Sequence, residues 1–188
     1  TAAWYHIVLS FNNSAYNDTA STFNVYINGV SADFTPTVTN TPSGGNRLND
    51  SSGKRIGEMR PDSGNHLNGY LAEFNFIDGQ AYDPTYFAET NADTGQWIPK
   101  IYSGSYGTNG FYLNFKDNSD TTAATLGKDS SGNGNNFTPN NYSVTSGETD
   151  DSLLDTPFEN FCTLNMKQPA TKQAGTVTNG SLDVAGAD

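Results

Sequence analysis

The stretch Phe23-Asn24-Val25-Tyr26-Ile27-Asn28-Gly29-Val30 carries the strongest local instruction in the sequence. Both central positions of a tight hairpin turn need φ > 0, which Asn and Gly tolerate best, and apolar residues flank this Asn28-Gly29 pair. Two antiparallel strands are expected, with Val30 to Val38 returning beside residues 23–27. Upstream, Trp4-Tyr5-His6-Ile7-Val8-Leu9-Ser10-Phe11 is short, aromatic and β-branched, so it reads as another strand. A polar loop, Asn12 to Ser21, joins the two.

Working downstream, residues 40–53 form a loop and Lys54-Arg55-Ile56-Gly57-Glu58-Met59 reads as a short strand. A turn follows at Pro61-Asp62-Ser63-Gly64-Asn65. Gly69-Tyr70-Leu71-Ala72-Glu73-Phe74-Asn75-Phe76-Ile77 then has the clearest alternation in the chain. Asp83-Pro84 predicts the one helical turn, with Asp83 as N-cap and Pro84 at the first helical position. Phe111 to Phe115 and Asn141 to Val144 read as further strands, with a Gly/Asn/Ser turn cluster at Lys128 to Asn136. After about Gly147 apolar density falls, and the tail from Gln168 reads as a linker or the opening strand of another domain. Many short strands with turn signals and so little helix predict an all-β sandwich.

Composition agrees. Of 188 residues, 34% are hydrophobic, 12% aromatic and only 15% charged. Low charge with many aromatics is the opposite of a disordered chain. The remainder lies in Asn, Thr, Ser, Gly and Asp, residues of turns and hydroxyl-rich strands. Net charge is −11, with no basic cluster beyond pairs such as Lys54-Arg55, which argues against nucleic acid as a partner. No apolar run approaches the roughly 18–20 residues of a membrane-spanning helix, so membrane insertion is not expected. The single Cys162 allows no internal disulfide framework, and a bacterial or viral origin is expected. The chain starts at Thr1 and reads as a piece of something longer.

Three stretches in order, Trp4-x-His6-Ile7-Val8, Val25-Tyr26-Ile27-Asn28-Gly29-Val30 and Gly69-Tyr70-Leu71-x-Glu73-Phe74-x-Phe76, resemble successive strands of the laminin-G-like, concanavalin-A-like jelly roll. The match is to the second half of that module and covers residues 1–88. Trp4, His6, Asn28, Gly29, Gly69 and Glu73 carry it. Phe76-Ile77-Asp78-Gly79-Gln80-Ala81, Asp83-Pro84, Gly95 to Lys100, Tyr106 to Phe111 and Asp129 to Asn136 look like blocks of phage structural proteins, especially large fibre-like proteins of marine phages. Asp155-Thr156-Pro157, Asn160 to Asn165 and Asn179 to Leu182 resemble the connector such proteins place before another β-sandwich. The resemblance implies a tail fibre, appendage or head decoration exposed on the virion. Residues 89–146 either fold back to complete the jelly roll or begin another module, and 147–188 form the connector.

The chemistry implied is binding rather than catalysis. Glycan-cleaving concanavalin-A-like enzymes need two carboxylates across the scissile bond, and the relevant strand offers Glu73 alone. His6 reads as a structural histidine, and His66 and Cys162 lack nucleophile motifs. No enzymatic activity is expected. Related lectin sandwiches often hold calcium, and Asp117, Asp120 and Asp129, with Asn133 or Asn135 nearby, are hard oxygen ligands of the right type. The EF-hand spacing fails, because Asn140 stands where Glu is required, and turn formation is the plainer role for these residues. No other cofactor is implied. Trp97, Tyr102, Tyr106 and Tyr142 lie in Gly/Ser/Asn-rich stretches and are the candidate platform for a host-surface glycan. Copies of the same chain, most simply in a trimer, and other virion proteins are the expected partners. The alternative is a carbohydrate-binding module of a secreted bacterial protein.

Overall fold

A computed structural model describes residues 4–12, 22–32, 54–58, 66–145, 151–152, 156–158, 175–178 and 183–186. The regular structure is almost entirely strand, with one three-residue 3-10 helix and no α-helix among the described residues. The chain divides into two compact units. The first comprises Thr1–Leu71 and Phe76–Gly110, the second Ala72–Asn75 and Phe111–Asp188.

In the first unit, β1 (Ile7–Asn12), β2 (Thr22–Ile27) and β3 (Val30–Ser31) form an antiparallel sheet in that order. Ile7 pairs with Ile27, Val8 with Tyr26 and Leu9 with Val25, while Ile27 pairs with Val30. Asn28 and Gly29 adopt φ of 50° and 80°, so the Asn-Gly turn forms as its chemistry requires. Ala32 N–H continues the ladder to the Val25 carbonyl at 2.8 Å; residues 33–38, the rest of the expected return strand, lie outside the described set. Strand alternation puts Val8 on the buried face, at 9% exposure. The opposite face presents Ile7, Leu9, Ile27 and Val30, at 60, 64, 42 and 70% exposure.

Two further strands of this unit, β5 (Ala88–Thr90) and β6 (Trp97–Pro99), pair antiparallel, with Ala88 opposite Pro99 and Thr90 opposite Trp97. Neither was predicted from sequence, because three-residue strands carry too little alternation to stand out. The link between them is held by Asn91, whose Oδ1 accepts the Asp93 and Thr94 N–H groups at 2.9 Å each.

β4 (Phe74–Phe76), whose first two residues belong to the second unit, pairs with β7 (Phe111–Leu113), so Phe111 to Leu113 has a strand partner from earlier in the chain. The apolar centre is small: Leu113 is 1% and Phe111 5% exposed, and the Phe111 ring lies 5.8 Å from Phe74 and 4.6 Å from Phe137. Further along the chain, β8 (Gly175–Thr178) and β9 (Asp183–Gly186) pair antiparallel, from Gly175–Gly186 to Thr178–Asp183. The expectation there is a linker or the opening strand of another domain.

Other strand expectations are corrected. The long strand over 69–77 shrinks to Phe74–Phe76, because Glu73 adopts a left-handed φ of 55° and turns the chain immediately before it. The Lys54 to Met59 strand reduces to one bridge, Glu58 to His66, with Met59 itself outside the described residues. Asn141 to Val144 forms no strand, and Asn141 is left-handed at φ 59°. Residues 13–21, the loop of 40–53, the Pro61 to Asn65 turn and most of the expected connector, Cys162 included, lie outside the described set.

Candidate functional site

The first unit gathers tyrosines around one short turn. Asp83 is extended (φ −84°, ψ 169°), and its Oδ1 accepts Thr85 N–H at 2.8 Å and Thr85 Oγ1–H at 2.5 Å. Pro84 follows, where its missing N–H costs nothing. The capped 3-10 helix, Pro84–Tyr86, brings Tyr82 and Tyr86 together with ring centroids 4.2 Å apart and planes tilted 33°. Lys100, just beyond β6, reaches the same turn. Its backbone N–H bonds the Phe87 carbonyl at 2.8 Å, and its ammonium donates to the Thr85 carbonyl.

Tyr102 forms the floor. It is 7% exposed, with ring centroids 5.8 Å from Tyr82, 5.2 Å from Phe87 and 5.1 Å from Tyr106, the last edge-on. Its hydroxyl donates to the Ser105 carbonyl at 3.0 Å. Gly104 lies directly under the phenol, where a Cβ would collide with the ring. Burial, and then the neighbouring Tyr82 hydroxyl, push the Tyr102 hydroxyl up to about 12, so it stays protonated as a donor. Above this floor opens a cleft of about 640 Å³, lined by Tyr82, Asp83, Tyr86, Lys100, Tyr102 and Ser103 among others. That volume lies in the range of roughly 300–1,000 Å³ typical of small-ligand sites.

Of the four aromatic candidates, Tyr102 and Tyr106 converge here. Trp97 instead packs on the β2–β3 turn, and Tyr142, 52% exposed, belongs to the second unit. Trp97 Nε1–H donates to His6 Nδ1 at 3.0 Å, and its ring lies where a Cβ on Gly29 would come within 2.9 Å. His6 is clamped from the backbone as well. Its N–H donates to Asn28 Oδ1 at 2.9 Å and its carbonyl accepts Asn28 N–H at 2.8 Å. Burial holds the His6 imidazole below its ordinary value, which favours the neutral ring that can accept from Trp97. Trp4 is half-buried, and Gly69 is exposed with open space where a side chain would go.

Sequence reasoning missed Tyr82, Tyr86 and Lys100. A usable signal was present: Tyr82 and Tyr86 bracket the Asp83-Pro84 start of a turn, which folds the chain back between them.

The three aspartates considered for calcium all hold their own loops. Asp129 is 6% exposed and accepts from Tyr112 N–H, Ser131 N–H, Ser131 Oγ–H and Asn135 N–H, each at 2.9 Å. Its burial raises the carboxyl pKa, but these donors more than offset that and hold it below the ordinary carboxylate range. Asp117 caps Ser119 through its N–H and hydroxyl, at 3.2 and 2.6 Å, and Asp120 Oδ1 accepts Thr121 N–H at 2.7 Å. Among the described residues, no group of three or more His, Cys, Asp and Glu is placed to hold a metal ion.

Glu73 sits at the left-handed kink before β4, and its Oε2 accepts the Tyr112 hydroxyl proton. That is the arrangement of a carboxylate joining two segments of one unit. Comparison of the chain with protein-family models, with curated proteins and with solved structures returned no match.

Proposed function

We propose that this chain is a non-enzymatic structural protein of a bacteriophage virion, a tail fibre, appendage or head decoration. In this reading residues 1–88 belong to a concanavalin-A-like jelly roll, serving assembly and attachment to host-surface glycan. The order of the phage-like sequence blocks supports it, and so does the strand-rich structure. The observation that carries it furthest is the apolar outer face of the β1–β2–β3 sheet. Ile7, Leu9, Ile27 and Val30 stand at 42 to 70% exposure on one face, a state suited to burial against neighbouring subunits. A symmetric trimer together with other virion proteins provides such neighbours. Attachment requires no cofactor in this reading.

The tyrosine cleft favours glycan attachment and equally suits the second reading, a carbohydrate-binding module of a secreted bacterial protein. Quantitative mass spectrometry of purified particles separates the two. A fixed number of copies per particle is the expected result. Absence of the chain from infectious particles overturns the virion assignment.

A further inference from the structure

The tyrosine cleft is lined by both a carboxylate and an ammonium. Asp83 commits Oδ1 to the Thr85 cap, and among the described residues Oδ2 takes no hydrogen bond. The Lys100 ammonium donates once, to the Thr85 carbonyl, and an ammonium carries three N–H donors, which leaves two. Acceptor and donor meet at Thr85, and the Tyr82–Tyr86 pair lines the same cleft, with Tyr86 45% exposed. The buried Tyr102 and the close approach of Gly104 give this wall a fixed base.

These parts select a ligand class. A wholly apolar ligand would take water from Lys100 and Asp83 and return no hydrogen bonds. An anion meets Asp83 and a chain of net charge −11, while a cation meets Lys100. A neutral pyranose satisfies both demands: its C–H face lies on a tyrosine ring, and neighbouring hydroxyls donate to a carboxylate and accept from an ammonium. We propose that the cleft lined by Tyr82, Asp83, Tyr86, Lys100 and Tyr102 binds a neutral hexopyranose unit of a glycan, with Tyr86 as stacking platform and Asp83 and Lys100 as its hydroxyl partners. This rests on the attachment reading for its biological setting, though not for its chemistry.

The test uses the full chain and the methyl pyranosides of glucose, galactose and mannose, read by saturation-transfer NMR and titration. At least one is expected to bind with a Kd of about 1 mM, as suits one stacked ring and a few hydrogen bonds. Tyr86→Ala should weaken binding tenfold or more and Lys100→Met severalfold. Tyr70→Ala, at an exposed tyrosine outside the cleft, should leave it unchanged. Amide spectra establish that each variant is folded, and if Tyr86→Ala is not, Lys100→Met carries the test. No saturation of any of the three sugars, or equal losses in the Tyr70 and Tyr86 variants, overturns the proposal. A chain present in particles that binds no pyranose defeats this inference alone. Tyr86-dependent binding by a chain absent from particles upholds it and defeats the virion assignment.

Discussion

The indole N–H of Trp97 donates to Nδ1 of His6 at 3.0 Å, across 91 residues of sequence. One bond thus ties the β6 strand to the opening hairpin within the first unit. It exists only while His6 Nδ1 carries a lone pair, so the tie depends on protonation.

Acid should therefore loosen this unit. The His6 pKa is lowered by burial in the folded protein, so the unfolded chain binds the proton more readily. The stabilisation is complete above the unfolded value of about 6.5 and is lost as pH falls below it through the lowered folded value. Urea denaturation from pH 7.5 to 5 should show a falling midpoint. His6→Asn offers an acceptor that does not titrate and should flatten that slope. A slope identical in the two proteins contradicts the assignment.

Replacing Gly29 should damage the same junction from the other side. Gly29 holds φ 80°, and an added Cβ meets the Trp97 ring at 2.9 Å. The left-handed conformation alone costs an L-residue about 1–2 kcal/mol. Gly29→Ala should accordingly lose about 2 kcal/mol or more by chemical denaturation. It should also shift the Trp97 indole proton in the NMR spectrum.

Asp129 should be the most sensitive polar position of the second unit. Asp129→Ala strands the N–H groups of Tyr112, Ser131 and Asn135. Bonds to a charged acceptor contribute roughly 1.5–3 kcal/mol each before relaxation, so a loss of about 3 kcal/mol or more is expected. Adding calcium or chelator to the wild-type chain should leave its thermal midpoint unchanged, because protein donors already occupy this carboxylate. A calcium-dependent rise of several degrees refutes that account. The folded Asp129 pKa is depressed, so its contribution persists above the unfolded value of about 3.9 and disappears as pH drops through the folded value.

Asp83 should matter for the cleft more than for the fold. Asp83→Ala removes the cap on Thr85, costing about 1 kcal/mol in typical helices. Asp83→Asn keeps an Oδ1 acceptor and should recover most of it. Ring-proton shifts of Tyr82 and Tyr86 should move in the Ala variant and stay near wild type in the Asn variant.

Local turn chemistry was legible without the structure. Asn28-Gly29 reads as a hairpin because few other residue pairs tolerate two left-handed positions, and Asp83-Pro84 reads as a helical start because cap and fixed φ coincide. Both are observed. The same reasoning failed at Glu73. Alternation across Gly69 to Ile77 argues for a strand, yet the chain turns at a non-glycine residue with φ 55°. Glu73 is placed to bond the Tyr112 hydroxyl, 39 residues away, and no local preference encodes that partner.

The candidate site divides along the same line. Aromatics in Gly/Ser/Asn-rich loops were visible as a class, but neither their burial nor their grouping was. Tyr102 and Tyr106 joined Tyr82 and Tyr86, while Trp97 went to the hairpin and Tyr142 to the second unit. By itself, the sequence determined the strand-rich class and the positions of its sharpest turns, because φ preferences act within two or three residues. Only the tertiary structure decided which aromatic became floor, wall or clasp. An aromatic residue gains from any apolar neighbour, and its place is set by the distant segment that can pack against it with its polar atoms satisfied.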